Sequence, residues 1–310
     1  MAMLAGCDDT PGSGAQGTVV VLLEAEESIA EGLVPGEELE NTVDGWTVTF
    51  DKYLVAIGPV HLAQGTAREV ESEDVRVVDL AKLGPAGVEL TRFSGVDTGT
   101  WDRFTYDTPH AADAVPDDDV SMDDYDAMVD GDWTYLIEGE ASDGTNTVAF
   151  RFGVPAETTY GPCEAEEGSP GVTVVEMGQT TVSVTIHGDH LFFNGFPSGA
   201  EIVERRAQWL WDADQLGNAD GMVDADELKG ISGSDLATLF PLTGDVQYFL
   251  AGSPVPIEDA WDFVRGQMHT VGHFQGEGEC PWTVDGKTGG HDHGDEDEHD
   301  HGDEDDHDHD

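Results

Sequence analysis

The sequence predicts a β + α protein: an N-terminal antiparallel β-sandwich followed by a small helical region and a disordered tail. Three observations predict it. Apolar residues recur with period two from about residue 18 to residue 190, the pattern of half-buried strands. After residue 197 the period becomes helical, and the last twenty residues contain nothing apolar.

In the first region Trp46, Val48 and Phe50 alternate with Thr47 and Thr49. Val148, Phe150 and Phe152 alternate with Ala149 and Arg151, and Val182, Val184 and Ile186 with Ser183, Thr185 and His187. Further apolar runs lie at Val19 to Leu23, Val75 to Leu80 and Trp133 to Ile137; seven or more short strands with turn-rich connections are expected, which suggests a sandwich. Asp113 to Asp132, with nine acids in twenty residues, reads as an exposed loop. Ser198 and Glu201 fit a capping box for a first helix burying Val203, Ala207, Leu210 and Trp211. A second helix is expected from about Pro256, with Ile257, Trp261, Val264 and Met268 as its stripe. The expected divisions are a linker over 1–17, the sandwich over 18–196, the helical region over 197–280 and a disordered segment over 281–310.

The charge balance is 66 Asp and Glu against 12 Lys and Arg, a net charge of -54. Phosphate backbones need clustered Lys and Arg, so nucleic acid is not an expected partner, and anionic membrane surfaces are disfavoured for the same reason. At 38% hydrophobic residues the chain can still bury an ordinary core. Cations are the expected company of the carboxylates: dissolved salt, calcium, transition metals or a basic partner protein.

Leu4-Ala5-Gly6-Cys7 precedes a Pro/Gly/Ser-rich stretch and resembles a bacterial lipobox. The resemblance implies acylation of Cys7, a cell-envelope location and contact with a membrane through the lipid anchor only. Six residues precede Cys7, too few for a signal sequence, so a full signal peptide is expected upstream. No other stretch has the roughly 18 consecutive apolar residues of a membrane helix. Cys163 and Cys280 form an even pair in a chain that reads as exported, so a disulfide is expected; a zinc site using both thiolates is the alternative.

The stretch from Asp212 to Glu227 lies between the expected first helix and Leu228. Its second half resembles an EF-hand calcium loop: Asp220-Gly221 supplies a ligand and a sharp turn, and Glu227 sits where a bidentate carboxylate closes the shell. Counting twelve residues back from Glu227 reaches Leu216, so the first half departs from the family. A two-residue insertion restores the pattern, with Asp214, Asn218, Asp220 and Glu227 as ligands, the Met222 carbonyl as another and Asp224 acting through water. A calcium ion in an EF-hand-like region is what this resemblance implies.

Six of the 12 histidines lie in the repeat from residue 291 to 310. His291 and His293, His299 and His301, and His307 and His309 form His-x-His pairs whose imidazoles stand roughly 6.5 Å apart along an extended backbone. Both members can reach one ion, and imidazole suits zinc and copper. The segment resembles the His/Asp-rich stretches of bacterial zinc-uptake proteins and zinc transporters. Elsewhere His187, Asp189 and His190 leave a strand together, and His269 and His273 are four apart at the end of the second helix. Where the two regions pack together, these residues would form a joint site for zinc or copper; singly, such histidines read as partly buried or capping residues.

There is no His-Glu-x-x-His and no Gly-x-Ser-x-Gly, and no catalytic residue is assigned. Three readings follow. The first is an envelope lipoprotein that captures transition metal with its tail and holds calcium in its loop, with an envelope metal transporter as a possible partner. The second is a surface module that binds a protein or glycan. The third is a metalloenzyme using His187, His190, His269 and His273.

Overall fold

The computed structural model describes residues 14–36, 41–165, 168–196, 204–240 and 250–290. Cys7, the Ser198/Glu201 capping box and the six tail histidines lie outside the described residues.

The strands in chain order are β1 (Gln16–Ala25), β2 (Thr47–Ile57), β3 (Val60–Gln64), β4 (Arg68–Ser72), β5 (Arg76–Asp79), β6 (Val88–Asp97), β7 (Gly99–Trp101), β8 (Arg103–Thr108), β9 (Val115–Pro116), β10 (Tyr135–Ser142), β11 (Thr147–Val154), β12 (Thr158–Tyr160), β13 (Val172–Val174), β14 (Gln179–Ile186), β15 (Met222–Val223), β16 (Gly272–Phe274), β17 (Trp282–Val284) and β18 (Lys287–Gly289). The helices are α1 (Glu27–Ala30), α2 (Met122–Asp130), α3 (Gln208–Leu216), α4 (Ala225–Lys229), α5 (Leu236–Leu239) and α6 (Ala260–Met268).

Strands dominate, in four sheets ordered β16-β14-β1-β6, β15-β11-β10-β2-β5-β9, β18-β17-β12-β8-β3-β4 and β13-β7. The pairing is mixed, and the expectation of a purely antiparallel architecture is corrected: β1 runs parallel to β14, β5 to β9 and β11 to β15. The sequence of β1 explains its place. Val19, Val20, Val21 and Leu23 are all buried, so it has no polar face and must lie inside a sheet covered on both sides. In β11, by contrast, Val148, Phe150, Phe152 and Val154 point inward while alternate residues do not.

The acidic segment 113–132 is not a loop. Ser121 caps α2 by accepting the Asp124 N–H, and Asp123 and Asp124 occupy its first turn, where the helix dipole favours negative charge. Met128 and Val120 pack against Leu54, Ala56, Val77 and Leu136 on one face of the second sheet; a fully buried Met is worth about 1.5–3 kcal/mol. Lys52 then ties helix to sheet, its Nζ donating to Asp124 at 2.8 Å and to Glu138 at 3.1 Å. Charge density concealed this short apolar stripe.

The C-terminal third returns to the strand body. Trp209, Leu210, Phe263, Val264 and Met268 belong to the same buried cluster as Val19, Phe152 and Ile186, with Trp209 stacked on Phe152 at 6.2 Å. The first helix begins only at Gln208, because Arg205 bridges to Thr42 and Phe193 in extended conformation. The second begins at Ala260, capped by Asp259. Residues 281–290, expected in the disordered segment, instead form the β17–β18 hairpin, and β17 pairs with β12. The reason is the Cys163–Cys280 disulfide and the hydrogen bonds beside it, from Gly161 N–H to the Pro281 carbonyl and from Glu164 N–H to that of Glu279. Together they lay this stretch along a strand end. Closing so long a loop stabilises by about 4–5 kcal/mol on the chain-entropy model.

No described helix is long and apolar enough to cross a membrane.

Candidate metal centre

Three of the four paired histidines converge. The antiparallel register of β14 and β16 sets Thr185 opposite His273. The chain continues from Ile186 to His187, whose N–H bonds the Val271 carbonyl. Because side chains alternate, Thr185, His187 and His273 share a face, and the His187 and His273 rings lie 4.0 Å apart. A 3₁₀ turn over Asp189–Phe192 brings His190 back to them, with its ring 5.2 Å from His273 and 5.7 Å from His187. The ligand nitrogens of these three residues all lie within 4.8 Å of one another. Each residue is at most 6% exposed.

The turn requires close packing. Ser28 Oγ accepts the N–H groups of Gly188 and Asp189, both at 3.1 Å. A Cβ at Gly188 would sit 2.6 Å from Ile29 Cγ1, so space, not backbone freedom, demands glycine there. On the opposite strand, a Cβ at Gly272 would meet the Tyr106 hydroxyl at 2.4 Å. That hydroxyl donates to the His273 carbonyl at 3.2 Å and pins the strand that carries the ligand.

One tautomer follows from the hydrogen bonds. Thr270 Oγ1 donates its single proton to the Gln267 carbonyl at 2.8 Å and lies 2.9 Å from His190 Nδ1. It must therefore accept from that nitrogen, which leaves the lone pair on His190 Nε2. Behind the triad, Arg205 pairs with Asp189 at 2.5 Å and lies over the Phe193 ring at 5.0 Å. Phe193 in turn stacks on His190 at 4.4 Å.

Asp189 is not in the triad. Its Oδ1 lies 3.9 Å from His187 Nδ1, beyond hydrogen-bond distance. It forms a second cluster with His187 and Glu26, and burial, more than the Asp189 charge, pushes the Glu26 carboxyl above its ordinary range. His269 is not brought to the site either. The Thr158 hydroxyl donates to the Ala156 carbonyl and so accepts from His269 Nδ1 at 2.8 Å. Burial holds this imidazole neutral, its pKa lowered to about 3, with Arg265 adding to the effect. A third cluster, unremarked in the sequence, joins His61 to Glu69 and Glu71 across the β3–β4 hairpin. The pairing of His61 with Glu71 is implicit in the short turn between them.

In the loop between α3 and α4, the carboxylates bind their own backbone. Asp214 Oδ1 accepts the Gly221 N–H, Asn218 Oδ1 that of Asp220, and Asp220 Oδ1 that of Met222. Asp224 caps α4, and Glu227 Oε1 reaches across to the Asn218 N–H at 2.9 Å. Ala219 and Gly221 have φ of 55° and 86°, left-handed conformations that turn the chain between Asn218 and Met222. Burial, together with Asp214, Asp224 and Asp220, raises the Glu227 pKa. Among the described residues no three of these carboxylates bring ligand atoms within 4.8 Å of one another. The loop's short strand, β15, pairs with β11.

The triad can donate three imidazole nitrogens to one ion and leave a fourth position to another ligand. No family model, curated protein or solved structure matches this chain, so its chemistry is argued from these residues.

Proposed function

We propose that this is a metal-binding protein of the cell envelope in which His187, His190 and His273 hold one zinc or copper ion. The observation that carries the reading is the buried convergence of three imidazoles, one of them fixed in a ligating tautomer by Thr270. An ion of borderline softness is the ligand that three converging imidazole nitrogens suit. The His/Asp tail at 291–310 adds weaker, exchangeable capture, and Cys7 is the anchor that holds the body at a membrane. The loop from Asp214 to Glu227 takes calcium. Its carboxylates turn toward the ion, which offsets the burial and, after it, the repulsion from Asp214, Asp224 and Asp220 that raise the Glu227 pKa, and β15, seated on a sheet edge, makes the loop a staple.

The test is a zinc titration against a competing chelator, with the full chain and with a full-chain variant carrying His187→Ala, His190→Ala and His273→Ala. Both keep the tail. The full chain is expected to hold one additional tightly bound ion; equal stoichiometry and affinity reject the reading.

A further inference from the structure

A cavity of about 280 Å³ opens beside one member of the triad, His273, and is also lined by Thr270, Trp282, Lys287, Gly289 and Gly290, among others. Two of its lining residues belong to the site, His273 itself and Thr270, which bonds His190. Its outer wall is the β17–β18 hairpin, and the last wall residue, Gly290, is followed directly by His291-Asp292-His293. At no more than 3.6 Å per residue, the His293 backbone stays within about 11 Å of that of Gly290.

Charge marks the same mouth. Lys52, Lys82 and Lys229 are ion-paired with Asp124 and Glu138, Asp79 and Asp226 respectively. Lys287, exposed on this wall, is the one lysine of the four with no ion pair among the described residues. The segment that follows in sequence has 12 acids in twenty residues.

We propose that this cavity is the docking port for residues 291–293 of the same chain, through which the tail delivers its zinc or copper ion to the triad. The proposal rests on the triad being a metal site. The transfer is ligand exchange: bonds from the ion to His291 and His293 nitrogens break as bonds to the lone pairs of His273, His190 and His187 form. The ion keeps its oxidation state, and the released imidazoles return to water. Tethering raises the donor's local concentration to the millimolar range, far above that of a free ion at micromolar levels.

The experiment mixes the full chain rapidly with one equivalent of Cu²⁺ and follows the appearance of the three-nitrogen signal by freeze-quench electron paramagnetic resonance. Three variants are compared: His291→Asn with His293→Asn, His307→Asn with His309→Asn, and Lys287→Glu. Loading is expected to slow about tenfold or more in the first, since the tethered donor is lost. It should be unchanged in the second, and slowed in the third by an amount that shrinks with added salt. The final triad signal should be equal in all. Equal loading rates for the first two pairs, with normal final occupancy, overturn the port alone. Absence of a triad signal in every protein overturns both the port and the metal site beneath it.

Discussion

The two candidate metal regions of this molecule are built in opposite ways. The loop from Asp214 to Glu227 is contiguous, half-exposed and held by hydrogen bonds from its own side chains to its own backbone. The histidine triad gathers residues from a strand end, a 3₁₀ turn and a distant edge strand, and its supports come from Ser28, Tyr106, Arg205 and Thr270. The contrast teaches where preorganisation resides. The triad's nitrogens are already near one another because the sheet puts them there, so an ion should meet little rearrangement. The loop's oxygens are committed to amides, so calcium must draw them inward.

The largest expected effect sharpens this contrast. His273→Ala or His187→Ala should weaken zinc or copper binding at the triad by about 100-fold or more, beyond the 10–100-fold typical of a lost supporting group, while Asp214→Ala leaves it unchanged; chelator competition measures both. Next, Thr270→Val removes the acceptor that sets the His190 tautomer and should cost about 10–100-fold in affinity with the fold intact. A loss as large as that of His273→Ala would mean the hydroxyl itself ligates.

The loop is tested by calcium. At a hundred times its dissociation constant the ion should stabilise the protein by about 2.7 kcal/mol, a rise of several degrees in melting temperature, and Glu227→Gln should abolish most of it. Persistence of the full shift in that variant would remove the loop from the account.

The smallest effect is on pH dependence. The His269 pKa is lowered to about 3 in the folded chain against about 6.5 when unfolded. Below about pH 6.5 the unfolded chain takes up a proton that the native one refuses. This group therefore costs no stability above that pH and destabilises the fold progressively down to about pH 3, by up to about 1.4 kcal/mol per pH unit. Denaturant melts with chelator present should show a shallower acid slope for His269→Gln than for the parent.

The difference between the regions also explains what was legible in the sequence. Strand alternation at Val148 to Phe152 and Val182 to Ile186 was readable because each residue reports its own side of the sheet. The spacing of Asp214, Asp220 and Glu227 was visible because these residues lie close together in sequence. The pairing of Cys163 with Cys280 followed from parity. The division of four histidines into three and one was not readable, since it depends on β16 pairing with β14 rather than on the helical spacing of His269 and His273. That spacing pointed to a shared helix face, but α6 ends at Met268 and the chain extends before reaching His273. Thr270 carried no signal at all. Its role exists only because its hydroxyl is already committed to Gln267. The apolar stripe of α2 was hidden by charge.

The most direct test is X-ray absorption at the zinc edge, on the full chain with all six tail histidines replaced by asparagine and one equivalent of metal bound. The account predicts three imidazole nitrogens at about 2.0–2.1 Å and one further oxygen or nitrogen ligand. A shell of oxygens with one imidazole or none, or failure to retain the ion, would contradict it.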